Sequence, residues 1–307
     1  MKKIFKIIEV FKHPKYMLFY LDKYNFIRLP DKLFLNILYY KYFGKEICFN
    51  NPKTFNEKIQ WLKLYDRKDI YTTMVDKNAV KKYVADIIGE QYIIPTIGVY
   101  EKFDDIDFDK LPNQFVMKCT HDSGGVAICE DKMKFDIKKA KKMICKSLKR
   151  NYYYEGREWP YKNVKPRIII ENYMRNEKCS ELIDYKFFCF NGTPEFILTC
   201  SERFSSDNMC ETFFDTNWNL MNIREGGHRI DEKIPKPKNL SLMLDYAKKL
   251  AADIPFVRID FYEINNNVYF GEITFFPAGG YEKFEPEEWD YKFGELIDLS
   301  GVKKYEK

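Results

Sequence analysis

Only three histidines occur in the 307 residues, so catalysis built on a Ser/His or Cys/His pair has few bases to draw on. The eight cysteines, at 48, 119, 129, 145, 179, 189, 200 and 210, include no CxxC pair. They read as reduced, buried thiols of a cytosolic protein. Lys or Asp interrupts every apolar run well short of roughly 18 residues, and the first residues are charged, so neither a spanning helix nor a signal peptide is expected. The net charge of +5 comes without a dense basic block or an RNA-binding motif, so no nucleic-acid partner is expected. A GxxxxGK[ST] loop, a clear DxD motif on an αβ-type Rossmann half, internal repeats and low-complexity tracts are all missing.

What is present suits a globular chain with a large core, in one domain or two lobes: 45% apolar and 17% aromatic residues. The first fifty residues interleave Lys with Phe, Tyr, Ile and Leu at helical spacing, broken by Pro14 and Pro30. Such a segment packs on the body of its own protein or lies on an anionic membrane surface. Thr54 and Glu57 have capping-box spacing, predicting a helix through Leu64. Further helices are predicted over 73–88, 136–150 and 240–252, and strands over 92–100, 114–119, 126–130, 167–174, 185–190 and 194–200, with strand-like pieces at 212–214 and 221–224. Asn191-Gly192 between apolar runs is a hairpin turn.

The stretch VRIDFYEINNNVYFGEITFFPAGG (257–280) reads as two strands joined by an Asn turn. Asp260 and Glu272 sit on strands that are otherwise apolar or aromatic. Buried carboxylates are costly unless paired or bound to a metal. Two of them on one face would suit Mg²⁺ together with substrate phosphates. The alternative is a plain salt bridge to a nearby base such as Arg258.

The second informative stretch is FVMKCTHDSGG (115–125). Lys118 on a strand, followed by Ser123-Gly124-Gly125, is placed to touch phosphate through its ammonium and through backbone N–H groups. His121 is either a phosphate donor or a loop residue.

Taken in order, NPKTFNEKIQWLK (51–63), Asp76-Lys77, FVMKCTHDSGG, the IIIENY strand, DYKFFCFNG (184–192) and VRIDFY…FGEITFFPAGG resemble the TupA-like branch of the ATP-grasp superfamily, over about residues 28–295. The resemblance implies an α+β ATP-grasp fold, two α+β lobes with ATP between them, plus a helical, aromatic-rich N-terminal segment. The implied division is 1–70 (basic, aromatic, helical), 71–113 (first part of the core), 114–174 (lid lobe with the Gly-rich hairpin) and 175–307 (C-terminal lobe with the Mg²⁺ site). Lys77 and Lys118 would contact phosphates, the Gly hairpin would act as a mobile lid, and Glu171-Asn172-Tyr173 would meet adenine through backbone groups. Asp184 or Glu181 would reach the ribose or order the site. Lys186 would face the γ-phosphate or acceptor, and Arg258 would steady the reacting acyl group. Asp260 and Glu272 would hold Mg²⁺. Thr274 stands where most of the superfamily has Asn, and its hydroxyl can still ligate Mg²⁺.

The implied activity is an ATP- and Mg²⁺-dependent carboxylate–amine ligase of cell-surface polysaccharide synthesis, joining a uronic-acid or glycan carboxylate to an amino acid or amine. The enzyme would be cytoplasmic, with residues 1–27 offered to the inner membrane face. The stretches 152–159 and 201–208 are candidate substrate contacts. The rival expectations are a glycosyltransferase of the same pathway and a non-catalytic assembly partner.

Overall fold

The computed structural model describes residues 13–176, 182–201 and 209–305. Its frame is two antiparallel sheets. The smaller has four strands in the order β1 (Thr96–Tyr100), β4 (Ile168–Asn172), β2 (Phe115–Cys119), β3 (Ala127–Cys129). The larger has five, in the order β10 (Asn267–Thr274), β9 (Phe256–Ile264), β5 (Asp184–Phe190), β6 (Thr193–Ser201), β7 (Cys210–Asp215). A two-stranded ribbon, β8 (Arg224–Glu225) with β11 (Phe284–Glu285), completes the set.

Each sheet has its own apolar cluster. The helix Ile137–Leu148 lays Ala140 and Ile144 on the small sheet, beside Phe115, Met117, Ile168 and Ile170. That core also takes in Phe103, Ile106 and Leu111, so its apolar side chains begin before residue 114. The larger core gathers the five-stranded sheet, the helix Leu240–Leu250 and the N-terminal helices Lys15–Lys23 and Asp31–Phe43.

One face of the large sheet changes character along its strands. Successive side chains alternate between faces, so Asp184, Lys186, Phe188 and Phe190 share one side of β5. Phe188, Phe190 and Phe256 stack under Phe55 and Phe293, with Phe55 and Phe256 centroids 4.8 Å apart. Further along, the same face carries Lys186 opposite Asp260 in register. The aromatic half anchors the charged half.

The N-terminal segment packs inward: Tyr16, Phe19, Phe34, Leu35, Ile37, Leu38 and Tyr39 are buried in the main core. Pro14 and Pro30 mark the starts of its two described helices. Residues 1–12 lie outside the described residues. Among the described residues no helix is long and apolar enough to cross a membrane.

Local signals hold well. The Thr54/Glu57 capping box is formed, with both reciprocal hydrogen bonds present. Asn191-Gly192 and Asn265-Asn266 make two-residue hairpin turns with positive φ at all four residues. The helix expected over 73–88 is instead two, Ile70–Val75 and Ala79–Ile88. Asp76 breaks it: its extended backbone turns the chain, and its carboxylate accepts the N–H groups of Asn78 (2.9 Å) and Ala79 (3.3 Å). Met221–Ile223 is not strand, and only Arg224–Glu225 pairs there. Cys119, Cys129, Cys189, Cys200 and Cys210 are buried free thiols, whereas Cys48 is exposed. Cys179 falls outside the described residues.

Candidate active site

The hairpin β9–β10 carries a bulge that decides the site. From the Asn turn, Ile264 pairs with Asn267 and Phe261 with Phe270. Without interruption Gly271 would then oppose Asp260, and Glu272 would point to the other face. A one-residue bulge shifts the register so that Glu272 opposes Asp260 and Thr274 opposes Arg258. Gly271 suits that place, since a Cβ there would lie 3.0 Å from the Asp260 carbonyl oxygen.

Five side chains meet on this face. Arg258 donates from Nε and Nη2 to the two Asp260 oxygens, 2.7 Å each, and from Nη2 to Glu272 Oε1 (2.8 Å) and Thr274 Oγ1 (3.1 Å). The Thr274 hydroxyl donates to Glu272 (2.9 Å), and Lys186 donates to Asp260 (2.9 Å). The salt-bridge expectation for the hairpin acids is met: the two carboxylates share a face, and Arg258 bridges them. Asp184 lies 3.9 Å from the Lys186 ammonium. Desolvation would raise the Glu272 carboxyl, but Arg258, Lys186 and Lys77 outweigh it and hold it at about 2. Burial and Arg258 oppose the charge on Lys186, yet Asp260 and Asp184 raise it overall.

The small sheet supplies the second group. Glu171 on β4 lies between Lys118 on β2 (2.6 Å) and Lys81 (2.5 Å). Burial would raise its carboxyl, and the two lysines bring it down. Lys81 belongs to no sequence motif; it lies in the first turn of the helix Ala79–Ile88, four residues after Lys77. Lys77 donates to the Asp122 carbonyl (2.6 Å), and its backbone N–H donates to the Thr120 carbonyl (3.1 Å). Burial lowers its ammonium.

Asp122, within FVMKCTHDSGG, has a structural part of its own. Fully buried, it accepts from Ser147 and Arg150, pinning the Ser123-Gly124-Gly125 turn to the end of a helix. Gly124 and Gly125 have φ of 100° and 64°. His121 is committed elsewhere: its Nε2 lies 3.2 Å from the Ser147 carbonyl and 3.1 Å from that of Arg150. Burial lowers its imidazole. The Asn172 N–H donates to the Pro95 carbonyl, and the Tyr173 hydroxyl to Glu130. Glu181 and residues 202–208 lie outside the described residues.

The marker segment 51–63 is structural glue. Buried Lys63 donates to Gln60 Oε1 (3.0 Å) and to the Gly156 (3.0 Å) and Gly279 (2.7 Å) carbonyls. Glu158 lies beside it; burial raises its carboxyl and lowers the Lys63 ammonium. The charge of Glu272 also raises the Glu158 carboxyl.

The TupA-like ATPgrasp family matches residues 57–298. The chain belongs to that family. Among solved structures it is similar to D-alanine–D-alanine ligase from Helicobacter pylori, at 14% identity over 79% of this chain and 69% of that one, TM-score 0.42. The same ligase from Bacillus anthracis, in complex with ATP, matches at 18% identity over 73% and 65%, TM-score 0.40. The ATP-grasp ligase PsnB, bound to a phosphomimetic variant of its minimal precursor, Mg and ADP, matches at 6% identity over 67% and 50%, TM-score 0.36. A search of the curated proteins found no match.

Proposed function

We propose that this protein activates a carboxylate with ATP and Mg²⁺ and joins it to an amine, in the synthesis of a cell-surface polysaccharide. The carboxylate is of the uronic-acid type, and the partner is an amino acid or simple amine. The observation that carries the reading is the row Lys186–Asp260–Glu272, spanned by Arg258, on the charged half of the large sheet.

A carboxylate does not acylate an amine at neutral pH because oxide is a poor leaving group. Its oxygen attacks the γ-phosphorus of ATP, ADP departs, and the amine then displaces phosphate from the acyl phosphate. No protein nucleophile is required. Lys77, Lys81 and Lys118 bind the phosphates, with the Ser123–Gly125 turn closing over them and excluding water. Adenine lies along Glu171–Tyr173, with Asp184 toward the ribose. Lys186 and Arg258 offset the charge that spreads over the transferring phosphoryl group and the acyl oxygens. His121 supports the turn from beneath.

Asp260, Glu272 and Thr274 fit Mg²⁺ by chemistry: three hard oxygen donors on paired strands, whose present partners are cations able to turn to phosphate. Bound there, Mg²⁺ supplies charge neutralisation at the β- and γ-phosphates. The protein works in the cytoplasm, and residues 1–27 bring it to the inner membrane face. Exposed Met17, Leu18, Tyr24 and Phe26 on the described part of that segment support the contact. The four ranges 1–70, 71–113, 114–174 and 175–307 remain the proposed division.

The test is ATP turnover by wild type and Asp260→Asn against a panel of uronic acids with mixed amino acids, read by mass spectrometry. ADP together with a new amide, lost in the variant, is the expected outcome. Absence of ATP binding with and without Mg²⁺ overturns the reading, and transfer from a nucleotide sugar replaces it with a glycosyltransferase.

A further inference from the structure

The helix Ile137–Leu148 has a face that the fold does not use. Its apolar side is spent on the small sheet, where Ala140 and Ile144 are buried. Around the rest of its surface stand Lys138, Lys139, Lys141, Lys142 and Lys146, with Lys149 just after it, all exposed. No Asp or Glu occurs between Asp136 and Glu155. Lys141 pairs with Asp104, from the short turn Phe103–Asp105 that packs against the helix. Among the described residues, the other five lysines have no acidic side chain within ion-pair distance.

This arrangement works against the helix itself. Lys138 and Lys139 stand in its first turn, at the positive end of the macrodipole, and no acid stands with them. Lys138 and Lys142, then Lys142 and Lys146, are like charges one turn apart, where an exposed helix gains by setting Glu against Lys. The chain supplies nothing to relieve that repulsion. An anion from outside does.

What borders the helix narrows that anion. At its start Met133 is 92% exposed, and Ile137 is exposed as well. At its end Arg150 and Lys23 both lie 4.0 Å from the Glu155 carboxylate. Lys23 closes the helix Lys15–Lys23, and just beyond it Tyr24 and Phe26 are exposed, Phe26 to 76%. The lysine face therefore has bare apolar side chains beyond both ends. A soluble polyuronate offers charge alone. An anionic lipid surface takes lysines at its headgroups and Met, Tyr and Phe at the acyl boundary. Because the apolar stripe of the helix is already buried on the sheet, the helix lies on the headgroups and does not sink between the chains.

We propose that the lysine face of Ile137–Leu148 docks the small sheet and its helix on an anionic lipid surface. Lys138, Lys139, Lys142, Lys146 and Lys149 meet the headgroups, and Met133 enters the boundary beside them. The inference goes beyond the proposed function, which gives the membrane contact to residues 1–27 alone, and it is independent of the ligase chemistry. Since Lys23 and Arg150 share Glu155, the two contacts adjoin.

The experiment is flotation of the full chain with vesicles of phosphatidylglycerol and phosphatidylcholine in equal parts, against vesicles of phosphatidylcholine alone. Wild type is compared with the lysine variant Lys138→Gln/Lys139→Gln/Lys142→Gln/Lys146→Gln/Lys149→Gln. A charge control, Lys233→Gln/Lys236→Gln/Lys238→Gln/Lys248→Gln/Lys303→Gln, removes as many exposed lysines from elsewhere. An apolar variant, Met17→Ser/Leu18→Ser/Tyr24→Ser/Phe26→Ser, tests the N-terminal contact. The substituted lysines are exposed and Gln matches Lys in helix propensity, so folding is retained. Wild type should bind the anionic vesicles alone and leave them as salt rises, a readout that needs no variant. One lysine near such a surface contributes about fivefold, so the lysine variant should lose at least tenfold while the charge control stays close to wild type. No binding to anionic vesicles, equal binding to neutral ones, an equal loss in the charge control, or a lysine variant that binds as wild type does overturns the proposal. So does a soluble polyuronate that displaces the protein from the vesicles through the same lysines at lower concentration than lipid. Loss in the lysine variant with unchanged binding in the apolar variant upholds this inference and removes the support those four side chains lend to the N-terminal contact. The reverse pattern sinks this inference and leaves that contact standing.

Discussion

Arg258 and Asp260, two residues apart on β9, face each other through two hydrogen bonds of 2.7 Å, the bidentate geometry of guanidinium and carboxylate. The Asp260 side chain is 3% exposed and also holds Lys186, so one buried anion answers two buried cations. Asp260→Asn removes the charge, leaving Arg258 to Glu272 alone and Lys186 to Asp184 at 3.9 Å. Breaking a buried pair from one side costs about 3–5 kcal/mol. Chemical denaturation should show a loss of that order together with loss of ATP turnover, and a variant as stable as wild type would contradict the assigned contacts.

Lys118 and Lys81 both hold Glu171, at the edge of the proposed nucleotide cleft. Lys118→Ala should weaken ATP binding about ten- to hundredfold, the equivalent of roughly 1.5–3 kcal/mol for a charged hydrogen bond. Glu171→Gln should weaken it too, by misplacing the lysines. Since the residues act as a unit, the double variant Lys118→Ala/Glu171→Gln should fall short of the sum of the singles, as read by equilibrium titration with ATP.

Glu225 predicts an alkaline loss of stability. Its folded carboxyl titrates near 8, against about 4.3 in the unfolded chain. Between those values the native state keeps a proton that the unfolded state has released, so unfolding free energy falls as pH rises. Thermal unfolding from pH 5 to 9 should show the decline in wild type and a flatter profile in Glu225→Gln, which should be the more stable of the two at pH 9. Parallel profiles would contradict a protonated Glu225 in the folded chain.

Gly294 tests how closely the helix Glu288–Leu296 approaches the capping box. A Cβ there would sit 2.2 Å from the Lys53 carbonyl oxygen. In an unobstructed helix Gly→Ala stabilises by about 0.5–1 kcal/mol. Gly294→Ala should do the reverse, lowering the melting temperature or preventing soluble expression, because backbone must move to admit the methyl.

Sequence alone determined what is local or ordered along the chain. The Thr54/Glu57 cap, the Asn191-Gly192 and Asn265-Asn266 turns, and the alternating strands of β5 and β9 follow from short-range hydrogen bonding and side-chain alternation. The order of motifs also led to the family, because nearly every marker lies on one continuous stretch of chain. Tertiary structure decided the rest. From the turn alone, Glu272 belongs on the wrong face; the bulge at Gly271 returns it to Asp260, and no local propensity announces a one-residue slip. The break at Asp76 arises where the chain must give its Lys77 N–H to Thr120, a partner more than forty residues away. Register, burial and long-range convergence depend on what packs against a residue, and a linear sequence states none of these directly.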